Sequence, residues 1–186
     1  MKKLMCVVIL ILGFGLFFSN ISLAESELIL QSQLDKKVDE LIKILKYGKE
    51  ISVYEPNKID AVIALGLLKD PRCVDILIEY LENSDNDHLC HQIIRSLGWI
   101  GDKRALPILI DILKDDNYVH ARGMAALALG DIGGGQKVIT ALEEAYNSDT
   151  DMYVRDYAAE SLNKITGKSY QNQTDEIMQE IKKDID

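Results

Sequence analysis

The chain has 186 residues with 21 Lys+Arg against 30 Asp+Glu, a formal net charge of −9, and a 47% apolar fraction, enough for one domain with a continuous core. The acidic balance argues against a nucleic-acid partner, because phosphate neutralisation requires clustered Lys and Arg and only short pairs such as Lys36-Lys37 and Lys182-Lys183 occur. Adhesion to an anionic membrane is disfavoured for the same reason.

Lys2 and Lys3 precede a 15-residue apolar run from Leu4 to Phe18, and a polar stretch from Ser19 ends in Ser22-Leu23-Ala24. This layout predicts a secretory signal peptide over 1–24, cut after Ala24, and hence a periplasmic or secreted protein. The run is shorter than the ~20 residues of a spanning helix, although Ile21 and Leu23 lengthen it and leave an uncleaved anchor as the alternative. Cys6 precedes the apolar core, which is the wrong order for a lipoprotein signal. Residues 1–24 carry two lysines and no acid, so their removal takes the net charge to about −11.

From 25 to 56 the sequence predicts a capping segment. Val38, Leu41, Ile42 and Leu45 mark one amphipathic helix, and Tyr47 to Asn57 forms a longer connection containing Pro56. It fits the second helix of an incomplete repeat.

Residues 57–167 are repetitive. The segments starting at Ile63, Arg95 and Ala126 align Gly66, Gly98 and Gly130 at 32-residue spacing. A fourth copy from Ala158 puts Asn163 where the glycine stood. The loops Asn83-Ser84-Asp85, Asp115-Asp116-Asn117 and Asn147-Ser148-Asp149 recur at equal offsets. Each repeat reads as two helices: an Ala/Leu/Ile-rich first helix ending near the glycine, and a second with apolar residues at i, i+3, i+4 and i+7, as in Val74, Leu77, Ile78 and Leu81. In the turn between them Gly101 or Gly133 is free to take positive φ, Asp70 or Asp102 is placed to cap the next helix, and Pro71 sits at a first helical position. No segment alternates with period two, so no sheet is expected. Lys69 stands where the turn glycine belongs in the first repeat, and Gly134 where the capping aspartate belongs in the third; both turns are expected to be less regular.

The run Ser96-Leu97-Gly98-Trp99-Ile100-Gly101-Asp102-Lys103-Arg104-Ala105-Leu106-Pro107, with Val154-Arg155 opening the last Ala-rich helix, resembles the HEAT-like repeat of phycobilisome lyase subunits and many bacterial scaffold proteins. The resemblance implies an all-α fold, a right-handed α-solenoid of stacked antiparallel helix pairs with about eight or nine helices in the mature chain. After the repeats, 168–186 is expected to be a polar segment with a short capping helix, Ile177, Met178 and Ile181 behind Thr174.

Stacked helices lie about 8–10 Å apart, so equal offsets define columns. Along the second helices one outward column is Glu79, Asp111 and Glu143, with Asp75 one turn before Glu79. Beside it run Ile76, Ile108 and Thr140, then Tyr80, Ile112 and Glu144. The resemblance implies that these helices line the concave face. Asp75, Ile76, Glu79, Tyr80, Ile108, Asp111, Ile112 and Glu143 are then the expected partner-binding residues, suited to a protein or peptide with a basic or amphipathic segment. The alternative is that the isoleucines pack between helices and the acids are solvated.

His88 and His120 share a column and His91 lies one turn from His88, so the three imidazoles are a weak candidate metal site set against solvated helix starts. The acids around Asp85, Asp87, Asp149 and Asp151 lack the glycine and distal glutamate of an EF-hand and read as helix caps. Gly130 to Lys137 lacks the context of a phosphate loop. Trp99 reads either as a lid over its turn or as a contact residue. Cys73 and Cys90 fall at opposite ends of a layer, too far apart for a disulfide, and are expected to be unpaired and largely buried. No nucleophile elbow or HExxH occurs. The expected function is a non-enzymatic exported scaffold without a cofactor; an accessory subunit of a lyase or cofactor-attachment system, which the resemblance implies, and a metal-binding protein are the alternatives.

Overall fold

The computed structural model of the protein describes residues 23–48, 57–115, 117–171 and 182. Residues 1–22 of the expected signal peptide, most of the connection around Pro56, and the expected last helix with Ile177, Met178 and Ile181 lie outside the described residues. Among the described residues there are eight α-helices and no strand: α1 Leu23–Tyr47, α2 Lys58–Leu68, α3 Val74–Asn83, α4 Asp87–Ile100, α5 Leu106–Asp115, α6 Val119–Ile132, α7 Gln136–Ser148 and α8 Met152–Thr166. No described helix is long and apolar enough to cross a membrane. The chain divides into two compact parts, 1–37 and 38–186, and all the repeats lie in the second.

Within that second part the first helices α2, α4, α6 and α8 stack in chain order, each on the next. The second helices follow beside them: α3 packs on α4, α5 on α6 and α7, and α7 on α8. One continuous core runs from Val38 in α1 to Leu162 in α8. Val74, Leu77 and Leu81 of α3, with Leu109 and Leu113 of α5, are buried in it, as their helical spacing dictates. No repeat covers its own apolar flank, so the neighbour does, and the result is an all-α solenoid.

Capping chemistry sets where the helices start. Asn57 and Asp60 form a reciprocal capping box on α2, Asn86 accepts from the Leu89 amide on α4, and Asp151 accepts from the Tyr153 amide on α8. The loop acids and amides are thus accounted for in part by capping. Asp70 and Asp102 each accept the amide hydrogen two residues on at 2.9 Å, and so cap short 3₁₀ turns, Pro71–Cys73 and Lys103–Ala105, that lead into α3 and α5.

The first of these turns departs from expectation, because Lys69 adopts the left-handed conformation itself, φ 55° and ψ 33°, matching Gly101 one repeat on. The turn is regular and the strain falls on a lysine instead. Left-handed backbone costs a non-glycine residue about 1 kcal/mol. Lys69→Gly is therefore expected to stabilise the chain by roughly that amount, seen as a higher urea midpoint with unchanged slope. The third turn is irregular as expected: Gly133 has φ 67° with ψ 172°, no 3₁₀ turn follows, and Gly135 offers α7 no side-chain cap.

The end of the fourth repeat is tied to the segment that follows it. The Asn163 carboxamide accepts the Tyr170 amide hydrogen and donates to the Tyr170 carbonyl at 3.1 Å. The Tyr170 ring then meets Tyr146 edge-on at 5.5 Å. Asn163, at the position where the other repeats have glycine, thus holds Tyr170, which is half-buried in a segment that composition marked only as polar.

Candidate functional site

The apolar stripe of α3 faces the core, which turns Asp75 and Glu79 outward and leaves Ile76 and Tyr80 half-buried at the border. One repeat on, α5 does the same with Asp111 outward and Ile108 and Ile112 at the border. Glu79 and Asp111 are exposed at equivalent positions of successive helices. The isoleucines beside them both pack on the core and keep part of their surface in solvent.

The remaining members of the expected set have other engagements. Asp75 takes both oxygens to the Arg104 guanidinium at 2.7 and 2.8 Å, tying α3 to the next turn. Glu143 is half-buried and accepts the Tyr170 hydroxyl at 2.9 Å, so the chain's own C-terminal segment covers the third position. That bond, with some burial, holds the Tyr170 hydroxyl above its ordinary pKa. Glu144, outside that set but in the neighbouring column, pairs with Lys114 at 2.7 Å and links α7 to α5. Tyr80 carries the Lys58 ammonium 5.4 Å from its ring centroid, and burial with the neighbouring Glu79 charge raises its pKa.

Two open grooves flank this face. The first, about 920 Å³, lies between Lys58, Tyr80 and the start of α4, and His88 lines it. The second, about 690 Å³, lies between the second and third repeats. Its apolar lining includes Ile108, Ile112 and Tyr118; its acids are Glu82, Asp85, Asp87 and Asp115; no Lys or Arg is among its lining residues. Cys90, His91 and Asn117 also line it. Of the second groove's residues only Ile108 and Ile112 were expected at a partner site; Cys90 and Asn117 are marked in the sequence by a departure from the repeat.

The histidines are not brought together as a trio. His91 and His120 meet edge-on at 5.8 Å between centroids, whereas His88 faces the first groove. The equal-offset column predicted His88 beside His120, but successive first helices slide along each other, so the neighbour is the residue one turn further. Among the described residues no group of three or more His, Cys, Asp or Glu side chains is arranged to hold a metal ion.

Cys73 and Cys90 form no disulfide. Cys73 is fully buried, and burial, aided by the Asp70 charge, pushes its thiol up to about 11. Cys90 differs from expectation in being only half-buried, because it borders the second groove, with its thiol 3.5 Å from the Ser84 carbonyl. The Arg95 guanidinium covers the Trp99 ring at 4.7 Å, which engages the tryptophan locally.

No curated protein matches the chain. A family described as HEAT repeats does, over residues 38–120 and 112–163, a span that begins in the second half of α1 and ends within α8. Sequence period, stacked helix pairs and this match agree, and the chain belongs to the HEAT-repeat family.

Proposed function

We propose that the protein is an exported, non-enzymatic binding module that holds a partner protein through the face of its second helices, at a segment presenting Lys or Arg beside apolar side chains. HEAT repeats form helical scaffolds suited to protein interaction. The observation that supports the finer reading is the pair Glu79 and Asp111, exposed at matching repeat positions, each with half-buried apolar neighbours on its own helix, Ile76 and Tyr80 or Ile108 and Ile112. Such a strip rewards an amphipathic segment twice, by apolar contact and by charge. Export rests on the basic start, the short apolar run and the Ser22-Leu23-Ala24 ending. N-terminal sequencing of protein recovered outside the cytoplasm should read from Glu25.

The binding test uses a basic amphipathic helical peptide and its charge-inverted counterpart, read by fluorescence anisotropy. The basic peptide should bind, and more weakly as salt rises. Glu79→Lys combined with Asp111→Lys should weaken it roughly tenfold or more, as two lost attractions of about 1 kcal/mol each imply, with helical circular dichroism unchanged. Equal affinity for wild type and the double variant would show that partners do not use this face.

A further inference from the structure

The second groove lies at an interval of the repeat that lacks a bridge present in the next interval. Between the third and fourth repeats, Arg122 of α6 reaches the loop before α8 and pairs with Asp149 through two bonds, Nε to Oδ2 at 2.8 Å and Nη2 to Oδ1 at 2.9 Å. This guanidinium fills the space between the repeats, and both side chains are close to fully buried. The equivalent positions between the second and third repeats, 32 residues earlier, are Cys90 and Asn117. A thiol and a short amide cannot span that distance, and both now line the open groove. The acids around it remain: Glu82, Asp85, Asp87 and Asp115, with no Lys or Arg among the lining residues.

We propose that this groove is a receptor for an arginine side chain of a partner protein, whose guanidinium takes the place that Arg122 occupies one repeat further on. The fit is chemical as well as spatial. A guanidinium offers five donors in a planar fork suited to carboxylates, and its aliphatic stem lies against apolar surface, here Ile108, Ile112 and the Tyr118 ring. The carboxylates along the wall offer acceptors of opposite charge to an incoming guanidinium. The inference rests on the reading of the chain as a binding module and names the anchor that its partner must carry.

The test titrates the full chain with N-acetyl-arginine amide, and with the citrulline analogue as an uncharged isostere, following backbone amide resonances by NMR. Arginine amide should move the signals of Cys90, His91, Asn117 and Tyr118 saturably, and the citrulline compound should not. Cys90→Arg with Asn117→Asp rebuilds the missing bridge and should abolish the response while leaving helical circular dichroism intact. Should that variant misfold, Asp85→Asn with Asp115→Asn keeps the shape and should weaken binding roughly tenfold, the scale of one charge-assisted hydrogen bond. Equal shifts with citrulline, an undiminished response in the rebuilt or the Asp→Asn variant, or a lysine amide that does as well as arginine would each overturn the assignment. Glu79→Lys with Asp111→Lys should lose the amphipathic peptide yet keep the arginine response, so a failure of the helix face and a failure of the groove give different results.

Discussion

Replacing Asp149 by asparagine is expected to lower folding stability by about 3 kcal/mol, the scale of removing one partner from a buried ion pair. The Arg122 and Asp149 side chains are 11% and 7% exposed, so the guanidinium left behind has little water to recover. Asp149 also accepts the Asp151 amide hydrogen at 2.8 Å, while its own carbonyl accepts from Arg155 at 2.6 Å, so one loop residue organises the start of α8 from three directions. Burial pushes this carboxyl's pKa up, yet the Arg122 hydrogen bonds, the Asp151 amide and the charges of Arg122 and Arg155 together outweigh it and hold the pKa below the ordinary carboxylate range. The sign of the pH dependence follows: a carboxyl whose folded pKa is depressed contributes stability above its unfolded pKa, about 3.9, and loses it as pH falls through the folded value. Urea unfolding should therefore show a wide gap between wild type and Asp149→Asn at pH 7 that narrows below pH ~4. A gap independent of pH would mean that the carboxylate's charge is not what stabilises this loop. In a double-mutant cycle, Arg122→Met should cost far less once Asp149 is already Asn.

The periodicity that made the fold legible also misplaced part of the site. Thirty-two-residue spacing, apolar stripes and turn residues determine which helices form and which neighbours they cover, because each repeat can bury its flank only against the next. Equal offsets do not determine which side chains touch. Gly66 of α2 meets Ser96, two residues before the aligned Gly98, and His91 meets His120, one turn past the aligned His88. Helical side chains lean toward the N-terminus and successive helices slide against one another, so a contact is shifted by two or three residues from its column. The second lesson concerns departures from the repeat. Asn163 in place of glycine clamps Tyr170, Lys69 in place of glycine still takes left-handed backbone, and Cys90, where the next repeat has Arg122, lines a groove. The sequence shows where each departure falls; what fills or vacates the space depends on a side chain's reach across to another repeat, which only packing reveals.

Gly66→Ala is expected to destabilise the protein by about 2–3 kcal/mol, although alanine is the better helix former by nearly 1 kcal/mol. Gly66 lies inside α2, so conformational freedom is not its role; proximity is. A Cβ there would stand 2.5 Å from the Ser96 oxygen, 2.7 Å from its Cβ and 2.9 Å from its Cα. The hydroxyl could rotate away, but Cβ and backbone cannot, so α2 and α4 must part. Parting them also strains the bond that Ser96 donates to the Val62 carbonyl at 2.9 Å, a buried acceptor. Gly98→Ala provides the graded comparison: its nearest neighbours are the Ala128 Cα and Cβ at 3.0 Å, with no hydroxyl to displace, so its loss should be smaller. Ser96→Gly added to Gly66→Ala removes the two nearest atoms and should recover part of the loss, leaving the Ser96 backbone contact in place. Chemical denaturation of the three variants gives the order directly. Were Gly66→Ala to stabilise the chain, helix propensity alone would govern the position, and the first helices would not be in the close contact on which the stacking of this solenoid depends.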